Sequence, residues 1–447
     1  MRIPFRPQMW FTAPLEHNAR RAELEQASEL LDAHPQIIDL VHADLVRDVD
    51  PSKGRDGLTA EQTLRVLTLK QTYDYTYEDL EFHLNDSPIY RWYCRLEFER
   101  PKKSSFQRAI AKLRPDTLEK ISRVVVGYAI AQGIETGRKV RTDCTGVETT
   151  IHEPSDSSLL WDCVRVLTRL LGEAAERMPA LRFRDHSRSA KRRALAISNA
   201  RTKERREPLY RNLLKITDKT VGYAQHAARI LTSSETLGKK DEKLAESLQR
   251  YIELAKRVID QTRRRVLQNE SVPSAEKVVS IFEPHTDIIV KDRRDPVYGH
   301  KVCLTAGASG LILDAVVLDG NPADSTLALE MMQRLQGAYG TFPRQATFDG
   351  GFSSRSNLEG IKALGIRDVV FSKGRGLAIE EMTTSKRVYK RLRNFRAGIE
   401  ATISFLKRSF ALGRCTWRGL SSFKSYVWSS ILSANLLIVA RHALNRQ

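Results

Sequence analysis

Residues 345 to 371 read QATFDGGFSSRSNLEGIKALGIRDVVF. Gln345 to Phe348 is a short, mostly apolar run that fits a strand, and Asp349-Gly350-Gly351 stops it. A helix fits Ser354 to Leu364, and a further strand fits Asp368 to Phe371. Short strands alternating with helices mark an α/β layer. The flanking sequence continues the pattern. Upstream, strands fit Val278 to Phe282, Lys301 to Thr305 and Ile312 to Leu318, with a turn at Gly307 to Gly310. A helix fits Asp324 to Leu335. Downstream, a helix fits Asn394 to Phe410. Far upstream, Lys139 to Cys144 reads as one more strand.

Between that first strand and the others lies a long charged stretch, from about Asp156 to Ala275. From Arg182 to Arg206 it holds ten Lys or Arg residues against two acids, Asp185 and Glu204. Such a run is either a phosphate-tracking arm or a solvated helical face. From Asp241 to Gln268, Leu244, Leu248, Ile252, Ala255 and Ile259 recur at helical spacing, which predicts a long amphipathic helix. Without this insertion the order is strand, strand, strand, helix, strand, helix, strand, helix. That is the order of the RNase H-like fold, in which carboxylates on the first strand, just past the fourth strand and on a late helix meet.

The first 135 residues read as helical. Thr59 is a plausible N-cap for a helix to about Tyr73, with Leu64, Val66 and Leu67 as its apolar face. Thr76 caps a helix over Tyr77 to Asn85. Others fit Ser105 to Leu113 and Asp116 to Gln132. Basic ends at Lys102, Lys103, Arg108, Lys112 and Arg114 suit either a helix-turn-helix-like DNA-binding unit or a plain helical bundle. The expected fold class is therefore α/β: an RNase H-like mixed sheet flanked by helices, an all-α N-terminal domain and a helical insertion. The expected boundaries are 1–135 for the N-terminal domain, 136–155 plus 276–447 for the catalytic domain, and 156–275 for the insertion.

The 447 residues carry 73 Lys and Arg against 54 Asp and Glu, a formal net charge of +19, which points to a polyanionic partner. No run approaches the ~20 consecutive apolar residues of a membrane span, since Ser433 and Asn435 interrupt Ile431 to Ala440. The opening MRIPFRPQMWF lacks the apolar run of a signal peptide. Five scattered cysteines form no CxxC pair, so neither a zinc site nor a disulfide framework is expected, and an intracellular compartment fits.

Chemistry on a phosphodiester needs charge stabilisation and an activated water or 3′-hydroxyl, which two divalent ions held by carboxylates supply. Asp143 in KVRTDCTGVETT sits late in the first strand. Asp349 ends a strand and precedes two glycines, which would let a phosphate chain approach closely. Glu400 is the only acid between Lys386 and Arg418, among ten Lys or Arg residues. Arg396, Glu400 and Lys407 share one helical face, so the two cations can serve phosphates beside Glu400 or form a plain surface ion pair with it. Glu148, Asp314, Asp319, Asp324, Glu380 and Glu381 are rival acids in less suitable contexts.

Three clusters, RTDCTGVETTIHEPSDSSLLWD (141–162), FEPHTDIIVKDRRDPVYGHKV with LILDAVVLDGNPADS (282–302 and 311–325) and FRAGIEATISFLKRSFALGR (395–414), resemble DDE-type transposases of bacterial insertion sequences. Many of these carry Tyr-x2-Arg-x3-Glu-x6-Lys around the catalytic glutamate. Arg396, Glu400 and Lys407 match, while Arg393 stands where the tyrosine would fall. The resemblance implies that Asp143, Asp349 and Glu400 are the catalytic metal ligands for two Mg²⁺ or Mn²⁺ ions. It implies strand cleavage and transfer on double-stranded DNA, both at the terminal inverted repeats and at target DNA. A homodimer or higher oligomer on DNA, no membrane partner and a place in the bacterial cytoplasm, on the nucleoid when DNA-bound, follow as expectations. Arg396, Lys407, Arg393, Lys301 and His300 are the expected DNA contacts. A silent transposase-derived DNA-binding protein and an RNase H-like nuclease without strand transfer are the alternatives.

Overall fold

A computed structural model describes residues 19–50, 53, 56–96, 98–233, 238–290 and 295–446. The N-terminal MRIPFRPQMWF segment, the head of the expected first domain and residues 291–294 of the second quoted cluster lie outside these. The chain divides into two compact units, Met1–Glu148 with His300–Gln447, and Thr149–Gly299.

The first unit opens with seven helices: α1 (Ala19–Asp32), α2 (Gln36–Val46), α3 (Ala60–Thr72), α4 (Tyr77–Asp86), α5 (Pro88–Tyr93), α6 (Lys103–Ile110) and α7 (Pro115–Ala131). The predicted caps are present. Thr59 and Gln62 close a capping box on α3, and Thr76 and Asp79 close one on α4. Leu64, Val66 and Leu67 are fully buried, as the helical reading requires. Ser87 and Pro88 start α5, a helix too short for its periodicity to show.

The strands are β1 (Lys139–Thr149), β2 (Asp287–Ile289), β3 (Val297–Ala306), β4 (Ile312–Val317), β5 (Gln345–Phe348), β6 (Asp368–Phe371) and β7 (Arg414–Cys415). In the first unit β3 and β4 pair antiparallel, while β1 with β5 and β5 with β6 pair parallel. The order across the sheet is β4-β3-β1-β5-β6, with β7 added to β1. That is the RNase H-like arrangement read from the element order. The parallel strands are buried on both faces, as is usual for parallel sheets.

Helices flank the sheet. α12 (Ala328–Tyr339) packs on β4, α13 (Arg355–Ala363) on β6, and α15 (Lys386–Ser409) on β5 and β6, after the short α14 (Ile379–Met382). α12 begins later than expected, because Asp324–Thr326 form a 3-10 turn first, and it ends at Gly340 in the left-handed region. α15 begins two turns earlier than expected, at the Ser385 cap.

The last helix, α16 (Leu420–Leu444), ties the N-terminal helices to the sheet. It packs against α1, α3 and α7 and touches β4, so the helical N-terminal segment and the sheet share one core. By length and composition α16 could cross a membrane, but 67% of its most apolar window is buried inside the unit. Several of its polar side chains have internal partners. Asn435 pairs with both backbone groups of Ile312, and Gln71 donates to Ser429 and Ser430.

The second unit holds α8 (Asp156–Arg177), α9 (Ser187–Asn199), α10 (Lys203–Ser233) and α11 (Lys239–Thr262), packed around their own core. Leu244, Leu248, Ile252, Ala255 and Ile259 are buried as the amphipathic pattern requires. Val278 to Phe282 is not a strand. Gln261 takes the place of a neighbouring strand there, since its amide bonds both the N–H and the carbonyl of Val278. Within this unit β2 pairs antiparallel with the first residues of β3, Ile289 opposite Val297.

Candidate active site

The register of two parallel strands sets two carboxylates side by side. Thr142 of β1 lies opposite Phe348 of β5, and the next residue on each strand is Asp143 and Asp349. β5 stops there, so Asp349 stands at the carboxyl end of a parallel strand, where α/β sheets bind their ligands. The two glycines that follow serve packing within the protein. A Cβ on Gly350 would come within 2.9 Å of the Lys373 side chain, and one on Gly351 within 2.7 Å of the Asp324 carboxylate.

α15 brings the third carboxylate and a cation. The Arg396 guanidinium reaches all three acids. One terminal nitrogen lies 3.1 Å from Asp143 Oδ2 and 3.0 Å from Asp349 Oδ1, and the other lies 3.0 Å from Glu400 Oε1. Exposure rises through the set: the side chains are 9% exposed at Asp143, 33% at Asp349 and 67% at Glu400. The cluster is thus open on the Glu400 side. Three negative charges face one positive charge, so the formal balance still favours further cations.

Two neighbours fix the carboxylates. The Cys144 N–H donates to Asp143 Oδ1 at 2.8 Å, and the Ser372 hydroxyl donates to Asp349 Oδ1 at 2.7 Å. A hydrogen bond with Cys303, together with burial, pushes the Cys144 thiol well up, so it stays neutral and offers no thiolate ligand. The donor set is therefore all oxygen, which suits Mg²⁺ or Mn²⁺. With the guanidinium between the acids, no three His, Cys, Asp or Glu side chains among the described residues stand together at metal-holding spacing.

Of the other expected site residues, Lys407 lies along α15 from Glu400 and donates to the Gly146 carbonyl at 2.8 Å. Arg393 is exposed on α15. His300 is 1% exposed and packs edge-on against Phe423. Lys301 is buried, pairs with Asp324 at 2.5 Å and donates to the Pro322 carbonyl. DNA contact by either of these two would require the start of β3 to open.

The rival acids are engaged elsewhere. Asp314 pairs with Arg334, Asp324 with Lys301, Glu381 with Arg355 and Glu380 with Lys386. Glu148 is exposed within β1, which runs further than expected because β7 pairs with it there. The basic ends of the N-terminal helices are partly neutralised, with Lys102 on Glu81 and Lys103 on Glu78.

Arg141 was not visible as a site residue. It precedes Asp143 by two, so both lie on one face of β1. Its guanidinium donates to the Phe395 carbonyl and to the Thr402 hydroxyl, and sits 4.9 Å from the Phe395 ring. These groups lie on α15 on either side of Glu400. Gly398 makes the approach feasible, since a Cβ there would lie 1.9 Å from an Arg141 nitrogen. An arginine inside a strand and a glycine inside a helix were the available signals, and only the fold joins them.

Residues 290–436 match the family model of the transposase DDE domain, and residues 18–112 match that of a transposase domain. The first match covers Asp349, Arg396 and Glu400, while Asp143 falls outside both. No curated protein and no solved structure matches the chain.

Proposed function

The chain belongs to the DDE-type transposases of insertion elements, and from that premise we propose that it cleaves and joins DNA at the ends of such an element through Asp143, Asp349 and Glu400. The observation that carries this reading is the convergence of three carboxylates, far apart in sequence, on one guanidinium beside the middle of β1 and the carboxyl end of β5. A cluster that gathers three acids and only one base fits a site built for additional positive charge.

Asp143, Asp349 and Glu400 would hold two Mg²⁺ or Mn²⁺ ions. When bound, such ions stabilise charge on the phosphodiester and lower the pKa of the attacking water or 3′-hydroxyl. The chain's own groups do the rest. The Cys144 N–H and the Ser372 hydroxyl each hold Oδ1 of one aspartate. Arg141 fixes α15 to β1 and with it the place of Glu400. Arg396 balances the carboxylates. Its Nε is buried without a hydrogen-bond partner among the described residues. Arg393 is exposed for backbone contact, and Lys407 stands on the same helix face as Glu400. The helical segment over 18–112 would hold the element ends. Two ends must be joined in one event, so a dimer or higher oligomer on DNA is the acting species.

The test is incubation of the purified chain with DNA carrying the gene and its natural flanks, with and without Mg²⁺ or Mn²⁺. Metal-dependent nicking at the element ends, and strand transfer from pre-cut ends, are expected. Nicking without transfer would favour a nuclease, and end binding without either would favour a silent DNA-binding protein.

A further inference from the structure

The second unit carries a cationic surface that the carboxylate site does not use. All ten Lys and Arg residues from Arg182 to Arg206 are exposed. Among the described residues none of them lies within 4.0 Å of a carboxylate. Several arginines elsewhere in the same unit are paired. Arg177 meets Asp241, Arg211 meets Glu207, Arg263 meets Asp218, and Arg264 meets both Glu270 and Glu276. Within the unit this segment concentrates ten exposed cations against two acids, Asp185 and Glu204.

The segment is held firmly. α9 buries Ala190 and Ile197 on one side, which turns Arg188 and Arg192 to the opposite side, one helical turn apart. The contacts that fix its cations are to neutral groups. Arg193 donates to Asn212, Lys203 to Asn269, and Arg206 to the Ala200 carbonyl. These bonds hold the side chains in place and leave the charge unbalanced. Clustered like charges repel one another, so an ordered, uncompensated group of this kind is complementary to an anion with many closely spaced charges. A solvated helical face would show the alternating signs of charge that α11 carries instead.

We propose that Arg182 to Arg206 forms a docking surface for the phosphate backbone of duplex DNA, without regard to base sequence. The surface rests on the transposase reading only for the choice of DNA among polyanions. A duplex presents one negative charge per ~1.7 Å of axis. The 13 residues of α9 extend roughly 20 Å at 1.5 Å each, enough to follow several phosphates of one strand.

The test is the salt dependence of binding to a short labelled duplex of random sequence, read by fluorescence anisotropy with the full chain. The variant combines Arg188→Ala, Arg192→Ala, Arg201→Ala and Arg205→Ala. Each phosphate contact contributes roughly 0.9 to the slope of log K against log salt, so the variant's slope should be shallower by about 3–4. Lysine at the same four positions should keep the wild-type slope, because charge rather than shape is required. A slope unchanged in the alanine variant would overturn the proposal, as would stronger binding to polyglutamate-displaceable or single-stranded RNA ligands than to the duplex. Metal-dependent nicking of the gene's own flanks is followed alongside. Nicking with an unchanged slope would sink the surface alone. A wild-type chain that neither nicks nor binds duplex would sink both readings.

Discussion

Arg396 is the residue on which the site turns, because it touches all of Asp143, Asp349 and Glu400. Replacing it with alanine removes the guanidinium that the nearly buried Asp143 shares with Asp349. Losing one partner of a buried ion pair typically costs 3–5 kcal/mol, and the exposed Glu400 contributes little, so Arg396→Ala should lower stability by about 2–3 kcal/mol in chelator. Added Mn²⁺ should recover more stability in this variant than in the wild type. Denaturant titration with and without Mn²⁺ reads both, and equal midpoints for the two proteins in chelator would contradict the account. Arg141 acts at one remove. Arg141→Ala should leave DNA binding intact while turnover at saturating DNA falls by about tenfold or more, since a small displacement of a metal-holding side chain carries a large kinetic penalty. Lysine should rescue poorly, because it lacks the fork that spans the Phe395 carbonyl and the Thr402 hydroxyl. A variant whose binding and turnover fall together would indicate a structural role only. Asp349 and Glu400 stood out from local context, as an aspartate at a strand end and the lone acid of a basic helix, while Asp143 rested more on the fold order and the resemblance. Arg141, Gly398 and Ser372 did not stand out, since each meets its partner only after distant segments have folded together.

The elements reported themselves where local physics decides their limits. β5 and β6 match their expected spans, because turns close both ends of each apolar run. α3 and α4 begin at their capping threonines. Thr59→Ala should cost about 1 kcal/mol, the usual value of an N-cap, measured by urea unfolding, and no loss would mean the box of Thr59 and Gln62 is idle. Val278 to Phe282 misled for a physical reason. Its alternating apolar residues suit a strand, but Gln261 satisfies its backbone, and no periodicity announces a side chain in that role. At the start of β6, burial pushes the Asp368 carboxyl up, but hydrogen bonds from Gln345 and from the Thr384 N–H and hydroxyl outweigh it and hold the group below the ordinary range. Its folded value is depressed, so its stabilisation is present above the ordinary aspartate value of about 3.9, and fades as pH falls from there through the lowered value. The stability difference between wild type and Asp368→Asn should therefore shrink on acidification. A difference that is constant with pH would contradict the assignment.

Across the whole molecule, net charge +19 and the RNase H-like order were both open to a reader of the sequence. The place of α16 was less so. Within the first unit α16 is apolar enough to bury itself between the N-terminal helices and β4, so these share one core. That junction depends on helix-to-helix packing over more than 300 residues of sequence, which no local pattern records. The central claim is that Asp143, Asp349 and Glu400 act together on DNA. The most direct measurement compares Mg²⁺-dependent nicking of the gene's own flanking DNA by the wild type and by Asp143→Asn, Asp349→Asn and Glu400→Gln, with DNA binding measured on the same preparations. Each substitution should reduce nicking by at least about a thousandfold, in line with loss of a metal-borne step, while binding stays within about twofold. Wild-type nicking by any one of the three would contradict the claim for that residue and for the triad as a unit.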